Sequence, residues 1–171
     1  MRLPTPPRAA NAVTARVPRA EGRAATPSLP PLEWRIPSDV MAISRVIDGV
    51  VALCTSAGFS ARHCRFNIPI ALTEALSNAI MRGNGNDVSR TVSVRSFVEH
   101  TREGASLLVD VTDEGSGFDI ATAGARPDSP DWLEREDGRG VFLMQSLMDR
   151  VECTRANGVP GNTVRLVLHR T

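Results

Sequence analysis

Two valine-rich runs, residues 90–99 and 105–113, alternate apolar and polar side chains and are separated by a link that contains Glu103 and Gly104. A period of two sends every second side chain to one face, and a short glycine-bearing link lets the second run fold back beside the first. The pair is therefore expected as an antiparallel hairpin with one apolar face, and that face needs a cover. Ser38 or Asp39 can cap a helix in which Met41, Val46, Val50 and Leu53 make a broad buried stripe as far as Gly58. A second helix is expected over Ile68–Arg82, with Leu72, Leu76 and Ile80 four apart on one face and Gly83 and Gly85 ending it. A third runs from Val141 to Met148, just after a glycine pair. Shorter strands are expected at Leu32–Ile36, halted by Pro37, at 151–155 and at 163–169, the last two joined through Asn157 and Gly158. Helices kept apart from antiparallel strands give the α+β class, a two-layer α/β sandwich rather than a doubly wound parallel sheet.

A chain of 171 residues makes one such domain and not two. Residues 1–33 hold seven of the twelve prolines and five arginines, with few large apolar side chains. They are expected to form a disordered basic tail, since so little burial cannot offset the entropy of ordering; the domain is placed at residues 34–171. The near-neutral total, +1, argues against a charge-driven nucleic-acid or membrane binder. No run of 18 apolar residues suggests a membrane span, and no apolar leader opens the chain, so a cytoplasmic location is expected. Cys54, Cys64 and Cys153 share no metal-binding spacing and are expected as reduced thiols, and His63 beside Cys64 lacks two further ligands for zinc. All twenty basic residues are arginine. The lack of lysine excludes a P-loop lysine, the lysine of eukaryotic-type protein kinases and Schiff-base chemistry.

Four elements carry residues suited to chemistry. Glu74 and Asn78 lie one helical turn apart, about 200° around the axis from the Leu72 stripe. They read either as a solvated polar face or as a carboxylate that handles a proton beside an amide oxygen for Mg²⁺. Asp113 ends a strand and is followed by Gly115 and Gly117; such a bend is often structural, but its carboxylate can also accept an exocyclic amine. Gly138, Arg139 and Gly140 lead into the Val141 helix, either as a flexible start or as an anion site in which Arg135 and Arg139 add contacts to phosphate. Gly161, Asn162 and Thr163 open the last strand. Between the second and third of these elements, residues 118–137 show no regular period, as a lid over a site or a passive surface loop would.

Taken in order, these four motifs resemble the ATP-binding domain shared by DNA gyrase, histidine kinases and MutL, over about residues 32–170. Within that superfamily "ALTEALSNAIMRGN" and "DGRGVFLMQSLMDRVE" are similar to the bacterial anti-sigma-factor serine kinases of the RsbW type. The resemblance implies a Bergerat-type fold, with a mixed, mostly antiparallel sheet covered on one face by helices. It implies ATP and Mg²⁺ as ligands, with Asn78 on the metal and Glu74 as the base or the group that orients the attacking hydroxyl. It also implies Asp113 on the adenine amine, Gly115 and Gly117 shaping the base pocket, Gly138 and Gly140 closing on the phosphates, and Thr163 supporting Asp113. Where the family often has histidine before the glycine, this chain has Arg82. The implied activity is phosphorylation of a serine on a small anti-sigma-factor antagonist by a homodimer that otherwise holds a sigma factor inactive. The alternative is a non-catalytic module that captures its partner under ATP control. A sensor histidine kinase is a poorer match, because a proline-rich tail stands where helices with a phospho-acceptor histidine would be; gyrase-like and MutL-like ATPases would need a following domain with a lysine.

Overall fold

The computed structural model describes residues 30–102, 104–115, 139–155 and 161–170. Among them five strands form one sheet: β1 (Leu32–Pro37), β2 (Thr91–Thr101), β3 (Gly104–Thr112), β4 (Arg150–Arg155) and β5 (Asn162–His169), in the order β1-β2-β3-β5-β4. Each pairing is antiparallel, and the expected hairpin forms its centre, with Val94 opposite Val111 and Phe97 opposite Leu108. The α+β class and the helical cover on one face hold. The tail before residue 30, the loop expected at 118–137, and Asn157 and Gly158 lie outside the described residues.

Helix α1 (Ile43–Ser56) buries Val46, Val50 and Leu53 as the stripe requires. Met41 does not join them: it is 81% exposed, because it falls in a tight 3₁₀ turn over Val40–Ala42 that precedes the helix and rotates it off the stripe. Asp39 caps that turn, its carboxylate accepting the Met41 N–H at 2.9 Å.

Helix α2 (Ile68–Asn78) is continuous at both ends with wide π-type turns, His63–Asn67 before it and Ala79–Gly83 after it. Pro69 accounts for the first. It has no N–H to offer the carbonyl four residues back, and the backbone widens so that the Ile68 N–H reaches the His63 carbonyl instead. Leu72, Leu76 and Ile80 are fully buried against the sheet, as their spacing predicts. The helical path stops at Gly85 and Asn86, both with positive φ (67° and 58°).

Helix α3 (Arg139–Leu147) lies beside α2 and is antiparallel to it. The Asn67 side-chain amide donates to the Leu147 carbonyl at 2.7 Å at one end, and Glu74 abuts Gly140 at the other. The sum of the paired residue numbers is the same at both contacts, so the two helices run in constant register. The core lies between these helices and the inner sheet face of Val92, Val94, Val98, Leu107, Val109, Val111, Val164, Leu166 and Leu168. Cys54 and Cys64 are buried free thiols within it, and burial, followed by the neighbouring Cys64, pushes the Cys54 thiol up to about 12.

Among the described residues no helix covers the outer sheet face, which carries a row of alternating charge across all five strands: Glu33, Arg95, Asp110, Arg165 and Glu152 stand opposite one another in turn. Its strongest link is bidentate, from Arg165 Nε and NH2 to the two Asp110 oxygens at 2.6 and 2.8 Å.

Candidate functional site

Asp113 follows β3 directly and is 2% exposed. Its Oδ1 accepts the N–H groups of Gly115 (2.9 Å) and Asn162 (3.3 Å), and its own N–H donates to the Asn162 carbonyl at 3.0 Å. Burial raises the carboxyl above the ordinary aspartate range; the two backbone donors pull it back without cancelling that effect. Three glycines make room for it. A Cβ on Gly83 would strike the Asp113 carboxylate, one on Gly115 would strike the Gly83 carbonyl, and one on Gly161 would strike the Asp113 carbonyl. Gly161 also has φ +119°, which a side chain would strain further.

Gly83 is thus more than a helix terminator. Its φ is not among the positive ones; the absence of a side chain lets the last turn of the helix press on the strand end.

Asn84, next along the chain, is a residue that motif reasoning passed over. It is 2% exposed, and its Nδ2 donates to Ser38 Oγ (2.7 Å) and to the Thr91 carbonyl (2.9 Å), while its Oδ1 accepts the Glu114 N–H at 2.8 Å. One side chain therefore ties the helix end to β1, β2 and the Asp113 bend. The available signal was an asparagine between two glycines, Gly83 and Gly85, at the end of "ALTEALSNAIMRGN". Replacing it (Asn84→Ala) should cost about 2–4 kcal/mol, since three bonds are lost and their partners are left buried. Urea unfolding with an unchanged m-value measures this. Glu114 adds a clamp, accepting the Thr91 N–H and hydroxyl and the Arg35 guanidinium at 2.8–2.9 Å, and these donors hold its carboxyl below the usual range.

Glu74 and Asn78 form a second cluster. Their angular distance from the core stripe turns them toward α3 rather than to solvent, and both are only partly exposed. A Cβ on Gly140 would fall 2.5 Å from Glu74 Oε2 and 3.5 Å from Asn78 Nδ2. The carboxylate and the amide thus face the first turn of α3, whose backbone N–H groups have no partner within the helix. Arg139 is exposed at that same helix start.

Thr163 stands elsewhere. Its hydroxyl meets that of Thr112 at 2.8 Å on the outer sheet face, because the residues of β5 alternate and the inward place next to Asp113 belongs to Asn162. The support that the resemblance assigned to Thr163 therefore comes from the Asn162 backbone. Gly117, Arg135 and Gly138 lie outside the described residues.

The model of the family described as "Histidine kinase-like ATPase domain" matches residues 36–168. The chain belongs to that family. Serine-protein kinase RsbW of Bacillus licheniformis is 36% identical over 98 residues, 54% of this chain and 59% of that protein. Anti-sigma F factor of Anoxybacillus flavithermus is 32% identical over 108 residues, 61% of this chain and 68% of that protein. The chain thus spans 59% of the length of the first of these curated relatives. A crystal structure of the RsbU and RsbW domains of a Mycobacterium tuberculosis protein superposes with a TM-score of 0.57 at 18% identity, over 82% of this chain and 32% of that one, and shares the fold. No helix among the described residues is long and apolar enough to cross a membrane.

Proposed function

We propose that this domain binds ATP with Mg²⁺ and transfers the γ-phosphate to a serine of a small anti-sigma-factor antagonist, and that as a cytoplasmic homodimer in its other state it holds a sigma factor inactive. The observation that carries this reading is the placement of the two clusters along one helical path, with Glu74 and Asn78 in the second half of α2 and Gly83, pressed on Asp113, at the end of the wide turn that follows. At about 1.5 Å of rise per residue, Glu74 and the Gly83 contact to Asp113 are about 13 Å apart, the reach of a nucleoside triphosphate laid lengthwise. The names of the RsbW and anti-sigma F relatives point the same way.

Each residue has a physical part in that reading. Both backbone donors to Asp113 go to Oδ1, which leaves Oδ2 to accept the adenine amine. Gly115 and Gly83 let the helix end and the Asp113 bend pack together, which fixes the carboxylate at the base pocket, and the resemblance adds Gly117 to that pocket. Gly140 lets the start of α3 come against the phosphates, with Arg139 beside it and Gly138 and Arg135 added by the resemblance; the exposed N–H groups and guanidinium charge do there what a lysine does in other nucleotide sites. Mg²⁺, when bound with the nucleotide, neutralises phosphate charge. Asn78 supplies one hard oxygen to it, and the nucleotide supplies others; among the described residues no three His, Cys, Asp or Glu side chains gather into a metal site of their own. Glu74 takes the serine hydroxyl proton as the new O–P bond forms and the bond to ADP breaks.

The test is transfer of label from γ-labelled ATP to serine of the cognate antagonist, together with calorimetry on Asp113→Asn. The amide keeps an acceptor for the Gly115 and Asn162 N–H groups but turns a donor toward the adenine amine, so ATP affinity should be lost. Stability should depend on pH. A carboxyl raised in the folded state favours folding when protonated, and that contribution is lost as pH rises through the raised value. The parent's melting temperature should therefore fall relative to that of the asparagine variant as pH rises through that raised value. Partner capture that responds to ATP with no phosphate transfer would favour the non-catalytic module.

A further inference from the structure

The surface between α2 and α3 has an apolar rim that ends at Glu74. Phe66 in the wide turn before α2 and Ile70 in the first turn of α2 are 59% and 40% exposed, and Leu143 on α3 is 38% exposed. The constant register that joins Asn67 to Leu147 and Glu74 to Gly140 puts Ile70 and Leu143 level with each other, halfway along the seam. Both also lie on its outer side. On α3, Val141 and Met144 face the core, and Leu143 sits across the α2-facing direction from them; on α2, Ile68, Leu72 and Ala75 face the core, and Ile70 sits across the α3-facing direction from them. A hollow of about 320 Å³ lined by Pro69, Ile70, Thr73 and Glu74 continues the rim to the carboxylate. The charge near Phe66 is one-sided: between residues 49 and 73 the charged side chains are Arg62 and Arg65, with no aspartate or glutamate.

From this geometry we infer that the Phe66, Ile70 and Leu143 rim is the docking surface for the serine-bearing segment of the protein substrate, and that this segment is acidic, with apolar side chains at helical spacing. The inference rests on the kinase reading given above and names how that site selects its acceptor. Ile70 and Leu143, held on rigid helices, set the distance from the docked segment to Glu74, and Arg62 and Arg65 favour an acidic partner over a basic one.

The probe is a short synthetic peptide with a central serine, leucines at helical spacing and glutamates between them. Two controls carry lysine for glutamate or serine for leucine. With the full chain, ATP and Mg²⁺, the acidic leucine peptide should bind, by fluorescence anisotropy, and be phosphorylated with kcat/KM about tenfold above either control, the loss of one buried anchor or of charge matching. Ile70→Asp and Leu143→Asp should each remove that preference with ATP affinity unchanged. Ile70→Ser and Leu143→Ser, checked for an unaltered melting curve, serve where the aspartate variants fold poorly. Equal treatment of all three peptides, no binding of the acidic one, or variants that keep the preference would overturn the inference. A chain that takes up no ATP would remove the kinase reading itself, and with it this one.

Discussion

Glu74→Gln should lower phosphoryl transfer by about 10²–10⁴-fold, the range over which a positioned general base acts. The amide is nearly the same size and keeps an oxygen near Gly140, so neither the α2–α3 contact nor the route of α3 is disturbed, and ATP affinity should change by no more than about twofold. The loss should therefore appear in kcat and hardly at all in nucleotide Kd. Single-turnover transfer with labelled ATP separates the two. Full activity in this variant would show that Glu74 does not take the proton.

Gly115→Ala should be the most disruptive single-methyl change in the molecule's site. The new Cβ would collide with the Gly83 carbonyl, which belongs to a helix end and cannot swing aside as a side chain could. Overpacking of this kind costs about 1–3 kcal/mol and forces backbone shifts. Here the shift must separate the helix end from the Asp113 bend, so ATP binding should fail along with the loss in melting temperature. Gly85→Ala is the control. Nothing lies within 4 Å of its Cβ, and only the positive φ of 67° opposes it, for a cost of about 1–2 kcal/mol without loss of nucleotide binding.

The strands and helices were legible because each has an apolar period that only one face can satisfy. Val92 to Val98 and Leu107 to Val111 alternate, and Leu72, Leu76 and Ile80 recur every turn; all of them are buried. Boundaries were within a few residues, except where backbone geometry departs from the ideal helix. The tight turn at Val40–Ala42 takes Met41 out of the core, and the wide turns around α2 follow from Pro69 and from the contact at Gly83, neither of which a period of 3.6 can express. In the site, Glu74 and Asn78 could be paired from their spacing, but their orientation toward α3 depends on a helix more than sixty residues further along the chain. Asn84 closes "ALTEALSNAIMRGN", but no apolar period includes it, and its three partners come from other segments of the chain. Thr163 was the natural choice by side-chain type in Gly161-Asn162-Thr163, and the alternation of β5 assigns the inward place to Asn162.

The row of charges on the outer sheet face bears on how this sequence can drift. Every interior member of the row has an opposite charge on both sides, so a single reversal at Arg95, Asp110 or Arg165 swaps two favourable cross-strand neighbours for two repulsive ones, each worth about 0.2–1 kcal/mol. Change there is tolerated as concerted exchange along a line, not as independent steps. Among homologues, these positions should covary across strands distant in sequence while each alone looks freely variable.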